Sequence, residues 1–172
     1  MNNLVHYSLQ ENIATIRIDD GKRNALSPEL LREIYQALDQ AESDRAAIIL
    51  TGRESVFCAG FDLKVMKRGG IEALGMLRHR LVPAAFQRAV TLSQYFDPES
   101  ALQAGFFDEL VDPAELMLRA EARMNNAMLL DQRAHTVSKR RIRKALVRKL
   151  RSSVPLDLLD AALIGLRGKR RQ

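Results

Sequence analysis

Two short apolar runs carrying β-branched residues open the chain, Val5 to Leu9 and Ile13 to Ile18, with Gln10-Glu11-Asn12 between them. This pattern predicts two strands joined as a hairpin. Asp19-Asp20-Gly21-Lys22 is a turn cluster. The spacing then becomes helical. Leu30, Leu31, Ile34 and Leu38 share one face, Ser27 is placed as N-cap and Pro28 sits at the first helical position. That helix is expected to end near Ser43. Ala46 to Thr51 is a continuous apolar run and predicts a buried strand. Strand, helix and strand in this order predict a sheet with helices packed on it, an α/β class.

The rest of the chain reads as helical. Asp62 to Lys67 predicts a short helix stopped by Gly69-Gly70. Ile71 to Val90 predicts helix with a break at Pro83. Asp97-Pro98-Glu99-Ser100 starts another helix and Gly105 ends it. Phe106 to Val111 is short and apolar. Asp112-Pro113 caps a longer helix through about Leu130, a basic helix covers Thr136 to Leu150, and Pro155 to Leu166 forms one more. The organisation expected is a core over residues 1–111, internally shortened near 74–80, followed by a basic helical region over 112–172.

Composition narrows the possibilities. The length of 172 residues and 47 % hydrophobic content suit one domain of ordinary size. No apolar run approaches the roughly 20 residues that span a bilayer. The start of the chain does not read as a signal peptide. Cys58 stands alone, which excludes an internal disulfide and a Cys-based zinc site. A reducing cytoplasm is the expected location. Charge is unevenly placed: residues 133–172 carry +11, the remainder −5. A basic end on an acidic body predicts contact with an anion, or a solvated helix face.

The chemistry concentrates at Ser55-Val56-Phe57-Cys58-Ala59-Gly60-Phe61-Asp62-Leu63-Lys64, directly after the predicted strand. A strand–loop–helix junction leaves backbone N–H groups free at the helix start, where negative charge is stabilised. Donors facing a cleft there would hold an oxyanion developing on a carbonyl. Other candidates have plainer readings. Cys58 reads as a small buried hydrophobe. His6, His79 and His135 have no metal-ligand spacing. Asp62 reads as a helix cap, Glu72 as solvent-facing, and Glu99 as a first-turn acid complementing the helix dipole.

Three segments together resemble the crotonase family, also called the enoyl-CoA hydratase/isomerase family. They are Asp19 to Ser27, Ile48 to Lys64 with Phe57-Cys58-Ala59-Gly60, and Ala101 to Val111, the last similar to the family's Ala-rich helix, glycine and following strand. The resemblance implies a crotonase-like α/β fold (the ClpP/crotonase class), a small sheet packed by helices with a C-terminal helical region. It implies an acyl-CoA thioester substrate and an enolate held in an oxyanion hole. One donor of that hole is the backbone N–H after the Ala-Gly pair, here Phe61. Phe61, Asp62, Leu63 and Lys64 then line the nucleotide and pantetheine track, Ala59 and Gly60 belong to the same binding segment, Arg23 and Ala25 touch coenzyme A, and Lys139 meets its phosphates. No cofactor is implied beyond the coenzyme A carried by the substrate, and no metal.

One departure stands out. Relatives carry a second oxyanion segment, a Gly-Gly-rich turn opening a central helix, and hydratases take two catalytic glutamates from that region. Nothing between Gly70 and Phe96 resembles it. The leading expectation is hydration or double-bond isomerisation of an acyl-CoA by a homo-oligomer, a trimer or dimer of trimers. The alternatives are a non-catalytic CoA-binding or subunit-interaction module of the same fold, and a basic nucleic-acid-binding helical protein. The basic run from Lys139 to Lys149 lacks interleaved aromatics and any nucleic-acid motif, which argues against the last. No membrane association is expected.

Overall fold

The computed structural model describes residues 3–60, 62 and 72–169, with side chains described over 3–60, 62 and 75–152. The chain divides into two compact units, residues 1–66 with 116–132 and residues 67–115 with 133–172.

In the first unit, β1 (Val5–Gln10) and β2 (Ile13–Ile18) pair antiparallel, from Val5 opposite Ile18 to Gln10 opposite Ile13. The two-residue turn between them holds Glu11 at a φ of 53°. Helix α1 (Pro28–Ser43) leads to β3 (Ala47–Thr51), which runs parallel to β2 with Ile13 opposite Ala47. The strand order is β1-β2-β3. Ser27 caps α1 as expected, its hydroxyl accepting the Leu30 N–H at 3.1 Å.

The core sits between this sheet and α1. Ala14, Ile16 and Ile18 are buried at period two from β2, and Ile49 is buried from β3. Leu30, Ile34, Ala37 and Ala41 face them from α1. The buried stripe therefore runs through two alanines rather than Leu31 and Leu38, which are only half-buried. Small side chains there let the helix axis lie close to the strands. The chain's entry into β1 is tied to α1: the Leu4 and Val5 amides donate to Glu33 Oε2 at 2.8 and 3.2 Å. Farther along, the Tyr7 hydroxyl donates to Asp44 Oδ2, just past the end of α1.

In the second unit, α2 (Glu72–Arg80) and α3 (Pro83–Thr91) flank the break expected at Pro83. Helix α4 (Pro98–Ala104) is capped by Asp97, whose Oδ1 accepts the Ser100 N–H at 2.8 Å, and ends on Gly105 at a φ of 94°. Leu81, Ala85, Ala101 and Ala104 are buried. The Val82 amide donates to the Ala104 carbonyl at 3.1 Å, and Arg80 pairs with Asp108 at 2.7 Å.

Two expectations are corrected. The stretch 106–111, likened to a strand, forms none. Phe106 lies instead against Phe96 at 5.3 Å between ring centroids, and Asp108 pairs with Arg80. The two helices expected on either side of Pro155 are one, α6 (Gln132–Lys169), and helix formers on both sides carry it through the proline. In the chain a 3₁₀ turn (Pro113–Glu115) precedes α5 (Leu116–Met128), which belongs to the first unit and packs against β3. The expected short helix over 62–67 lies outside the described residues except for Asp62.

The Tyr7–Asp44 contact makes a pH-dependent prediction. The hydrogen bond to a carboxylate, with burial and the negative charge of Asp44 adding to it, pushes the Tyr7 pKa from 10.0 up to about 12. A tyrosine whose pKa is raised by folding stabilises the protein fully below its unfolded pKa and loses that contribution as pH rises through the folded one. Tyr7→Phe should therefore be less stable than the parent in urea denaturation near neutral pH, and the gap should close as pH climbs from 10 toward about 12.

Candidate functional site

The site is built where β2 and β3 end. Beyond Ile18 the chain turns sharply. The Gly21 amide donates to Asp19 Oδ1 at 3.0 Å, and Gly21 has a φ of 72°. Asp20 Oδ1 accepts from the Lys22 amide at 2.7 Å and the Asn24 amide at 2.9 Å. Burial pushes the Asp20 pKa up, but hydrogen bonds from the amides of Asn24, Lys22 and Ala25, with the charge of Lys22, outweigh it and hold the carboxyl below its usual range. The turn is thus organised around a fixed negative charge.

Asn24 is the polar centre of this junction. It is fully buried and takes a φ of 54°, a left-handed conformation that Asn tolerates better than most residues. Its Nδ2 donates to the Ile18 carbonyl at 3.0 Å and the Phe57 carbonyl at 3.0 Å, with the Val56 carbonyl at 3.3 Å. Its Oδ1 accepts the Asp20 N–H at 2.9 Å. Donors and acceptor of the carboxamide are all used, as a buried polar side chain requires. One side chain therefore joins the end of β2, its own turn and the loop after β3.

That loop is compact for a steric reason. A Cβ on Gly52 would lie 2.2 Å from the Val56 carbonyl oxygen and 2.5 Å from the Phe57 Cα. Only glycine fits against its own chain there. Arg53 and Val56 form a bridge closed by the Val56 N–H to the Arg53 carbonyl at 3.2 Å, with Ser55 at a φ of 61°. Farther along, Gly60 takes a left-handed φ of 86°. Space around Gly60 is open, so its requirement is conformational. Cys58 is half-buried at this bend, and its Sγ accepts the Gly60 N–H at 3.2 Å.

Three backbone bonds lay the two loops side by side. Ala59 N–H donates to the Arg23 carbonyl at 2.9 Å, Leu26 N–H to the Gly60 carbonyl at 2.8 Å and Asp62 N–H to the Leu26 carbonyl at 3.2 Å. Alongside runs a groove of about 550 Å³, with Lys22, Arg23 and Arg53 contributing cations and Val56, Phe57 and Ala59 contributing apolar wall. Phe57 is half exposed at 55 %. The arrangement can take a ligand with an anionic head and an apolar arm.

Of the residues expected from sequence, Arg23, Ala59, Gly60 and Asp62 are brought together here, and the Ala25 amide is bonded to the Asp20 carboxylate in the adjoining turn. Phe61, Leu63 and Lys64 lie outside the described residues. Lys139 belongs to the other unit, exposed on α6. Sequence reasoning missed Asn24, Gly52 and Arg53. Asn24 stood within the quoted Asp19 to Ser27 segment, and a polar residue between two turn signals and Ala25-Leu26 was the available sign of a buried carboxamide. Among the described residues no group of three His, Cys, Asp or Glu side chains is placed to hold a metal ion. Among them, too, no helix is long and apolar enough to cross a membrane.

The chain resembles known proteins in sequence and in fold. Residues 8–81 match the model of the enoyl-CoA hydratase/isomerase family. Over 69 residues the chain is 45 % identical to 4-chlorobenzoyl coenzyme A dehalogenase-2 of an Arthrobacter species, covering 37 % of this chain and 25 % of that protein. The crystal structure of an enoyl-CoA hydratase/isomerase family protein from Pseudomonas syringae matches with a TM-score of 0.84 at 26 % identity, covering 91 % of this chain and 97 % of that one. A probable enoyl-CoA hydratase from Mycobacterium tuberculosis H37Rv matches with a TM-score of 0.83 at 26 % identity, covering 98 % and 99 %. The chain spans about a quarter of the length of the curated relatives it matches. The chain has the crotonase fold. Its resemblance to the enoyl-CoA hydratase/isomerase family holds, carried in sequence by residues 8–81.

Four substitutions test the junction. Asn24→Ala strands the Ile18 and Phe57 carbonyls and the Asp20 amide, and should cost about 2–4 kcal/mol in urea denaturation. Asn24→Asp, which turns a donor toward those carbonyls into an acceptor, should be worse. Gly52→Ala forces backbone apart and should cost about 3 kcal/mol, whereas Ser55→Gly, at an open left-handed position, should leave the midpoint nearly unchanged or raise it.

Proposed function

We propose that this chain binds an acyl-CoA thioester along the junction of residues 22–26 with 53–60 and promotes hydration or double-bond isomerisation through a thioester enolate. The observation that carries this reading is the Asn24-pinned pairing of the Arg23 to Leu26 strip with Ala59, Gly60 and Asp62, beside a groove bearing Lys22, Arg23 and Arg53. The family match over residues 8–81 supports the same ligand class.

The chemistry follows from where charge develops. A thioester carbonyl oxygen gains negative charge only as the enolate forms. A fixed N–H aimed at that oxygen therefore favours the transition state over the bound substrate. In this reading the donor is the amide after Gly60, and it is supported by Gly60 itself, whose carbonyl accepts the Leu26 N–H at 2.8 Å. The cations at the rim hold the phosphates of the nucleotide, and the apolar wall takes the pantetheine arm. Binding energy from that remote end keeps the reacting carbon in place. The reading includes a reducing compartment, suited to the free Cys58, and self-association into a trimer. Leu118, Leu129 and Ile142 support the latter, being 68, 85 and 71 % exposed.

Isothermal titration with crotonyl-CoA and an absorbance assay of its hydration test the proposal. Crotonyl-CoA should bind, and Arg23→Ala with Arg53→Ala should weaken binding at least about tenfold through lost charge-assisted contacts. Binding without turnover would leave the non-catalytic module as the correct reading. No binding at all would refute both.

A further inference from the structure

The outer edge of the sheet carries a feature that acyl-CoA chemistry does not use. Among the described residues β1 pairs with β2 alone. Its free groups follow from the register. The Asp19 amide donates to the Leu4 carbonyl at 2.8 Å, directly across the ladder. Hydrogen-bonded and non-bonded pairs alternate along antiparallel strands. His6, Ser8 and Gln10 therefore turn their N–H and C=O groups to β2, and Val5, Tyr7 and Leu9 turn theirs outward. Glu33 guards the start of this edge by accepting the Val5 amide. The backbone groups of Tyr7 and Leu9 that face outward have no partner among the described residues. Edge strands are commonly protected by charge, proline or a bulge. Val5 to Gln10 contains no proline and no Lys, Arg, Asp or Glu, and it pairs without a bulge. Beside the edge runs a groove of about 680 Å³, lined by Val5 and Tyr7 of β1 and by Arg32, Glu33, Gln36 and Gln40 of α1. That helix region is acidic: from Pro28 to Asp44 stand Glu29, Glu33, Asp39, Glu42 and Asp44 against Arg32 alone. Glu33 spends Oε2 on the Leu4 and Val5 amides, and its Oε1 has no partner among the described residues.

We infer that the β1 edge and α1 together form a docking groove for an extended, basic segment of a partner protein, added antiparallel to β1 as a fourth strand. The free backbone groups commit the partner to an extended chain. Only a strand offers N–H and C=O groups in alternation at the spacing of Tyr7 and Leu9. Charge complementarity commits it to lysine or arginine, because the helix beside the groove carries five carboxylates and one cation. The faces follow from the pleat. Val5 and Tyr7 stand opposite Ile18 and Ile16, which are buried, so added residues opposite Val5, Tyr7 and Leu9 lie on that same face. The residue opposite Val5 then meets Glu33 and takes the cation. The residue opposite Leu9, which is 44 % exposed, takes an apolar side chain and covers it. A second copy of this chain fits less well. Pairing two β1 edges through Tyr7 and Leu9 puts the two-fold axis at Ser8 and sets two acidic α1 helices against each other.

The test is fluorescence anisotropy of the full chain with a labelled heptapeptide of alternating lysine and valine, followed by amide hydrogen exchange of the complex. The peptide should bind, and more weakly as salt rises. In the free protein the Tyr7 and Leu9 amides should exchange faster than those of His6, Ser8 and Gln10. Saturating peptide should slow Tyr7 and Leu9 at least about tenfold. Leu9→Pro removes an outward donor without touching the ladder to β2, and should weaken binding at least about tenfold. Glu33→Gln keeps an acceptor for the Leu4 and Val5 amides and should weaken binding about threefold, with a flatter salt dependence. Circular dichroism of both variants should match the parent, which separates lost docking from lost folding. Absence of binding, binding that leaves the Tyr7 and Leu9 amides unprotected, or equal binding of a glutamate–valine peptide would overturn the inference. So would a folded Leu9→Pro variant that binds like the parent. Protection of those amides that rises with protein concentration alone would assign the edge to a second copy and overturn it too.

Discussion

The buried carboxamide of Asn24 is the interaction on which the rest of the site depends. Three carbonyls from two separate segments converge on one Nδ2, and the fourth partner, the Asp20 amide, returns the oxygen's share. A side chain with no exposure to water cannot leave such groups half-paired without a penalty of about 1–3 kcal/mol for each. The turn after β2 and the loop after β3 consequently form together or not at all. Neither is long enough, nor apolar enough, to be ordered by burial of its own side chains.

From that constraint the groove follows. Once Val56 and Phe57 are held by their carbonyls, Ala59 and Gly60 meet Arg23 and Leu26 through their backbones, so the pairing places amides and carbonyls rather than particular side chains. Side chains are then free to face outward. Lys22, Arg23 and Arg53 do so from three points of the two loops, giving the groove its positive rim. The scaffold beneath is simple: a three-stranded sheet covered by one helix whose alanines allow close approach, with Glu33 and Asp44 of that helix region tying down β1.

How much of this was legible depends on whether a feature is local. The hairpin, the Ser27 cap, the break at Pro83, and the Asp97 and Gly105 ends of α4 follow from residues within a few positions of each other, and all are found. The family resemblance was legible because its motif is continuous over Ile48 to Lys64. Asn24, Gly52 and Arg53 were not, because each matters through residues about 30 positions away or through its own chain folding back upon it. The expected strand at 106–111 failed for the converse reason. Apolar composition alone does not make a strand, and that stretch spends its groups on Phe96 and Arg80 within its own unit. Pro155 misled because a proline predicts a helix boundary only when its neighbours do not favour helix strongly.

Gly52 has a wider consequence. Because its own chain fills the place where a side chain would begin, the course of the loop that walls the groove is set by backbone packing and not by side-chain choice. Variation among chains built on this plan is thereby channelled to the outward-facing positions of the loop. A lineage can alter the wall of the groove, one residue at a time, without redrawing the loop that carries it.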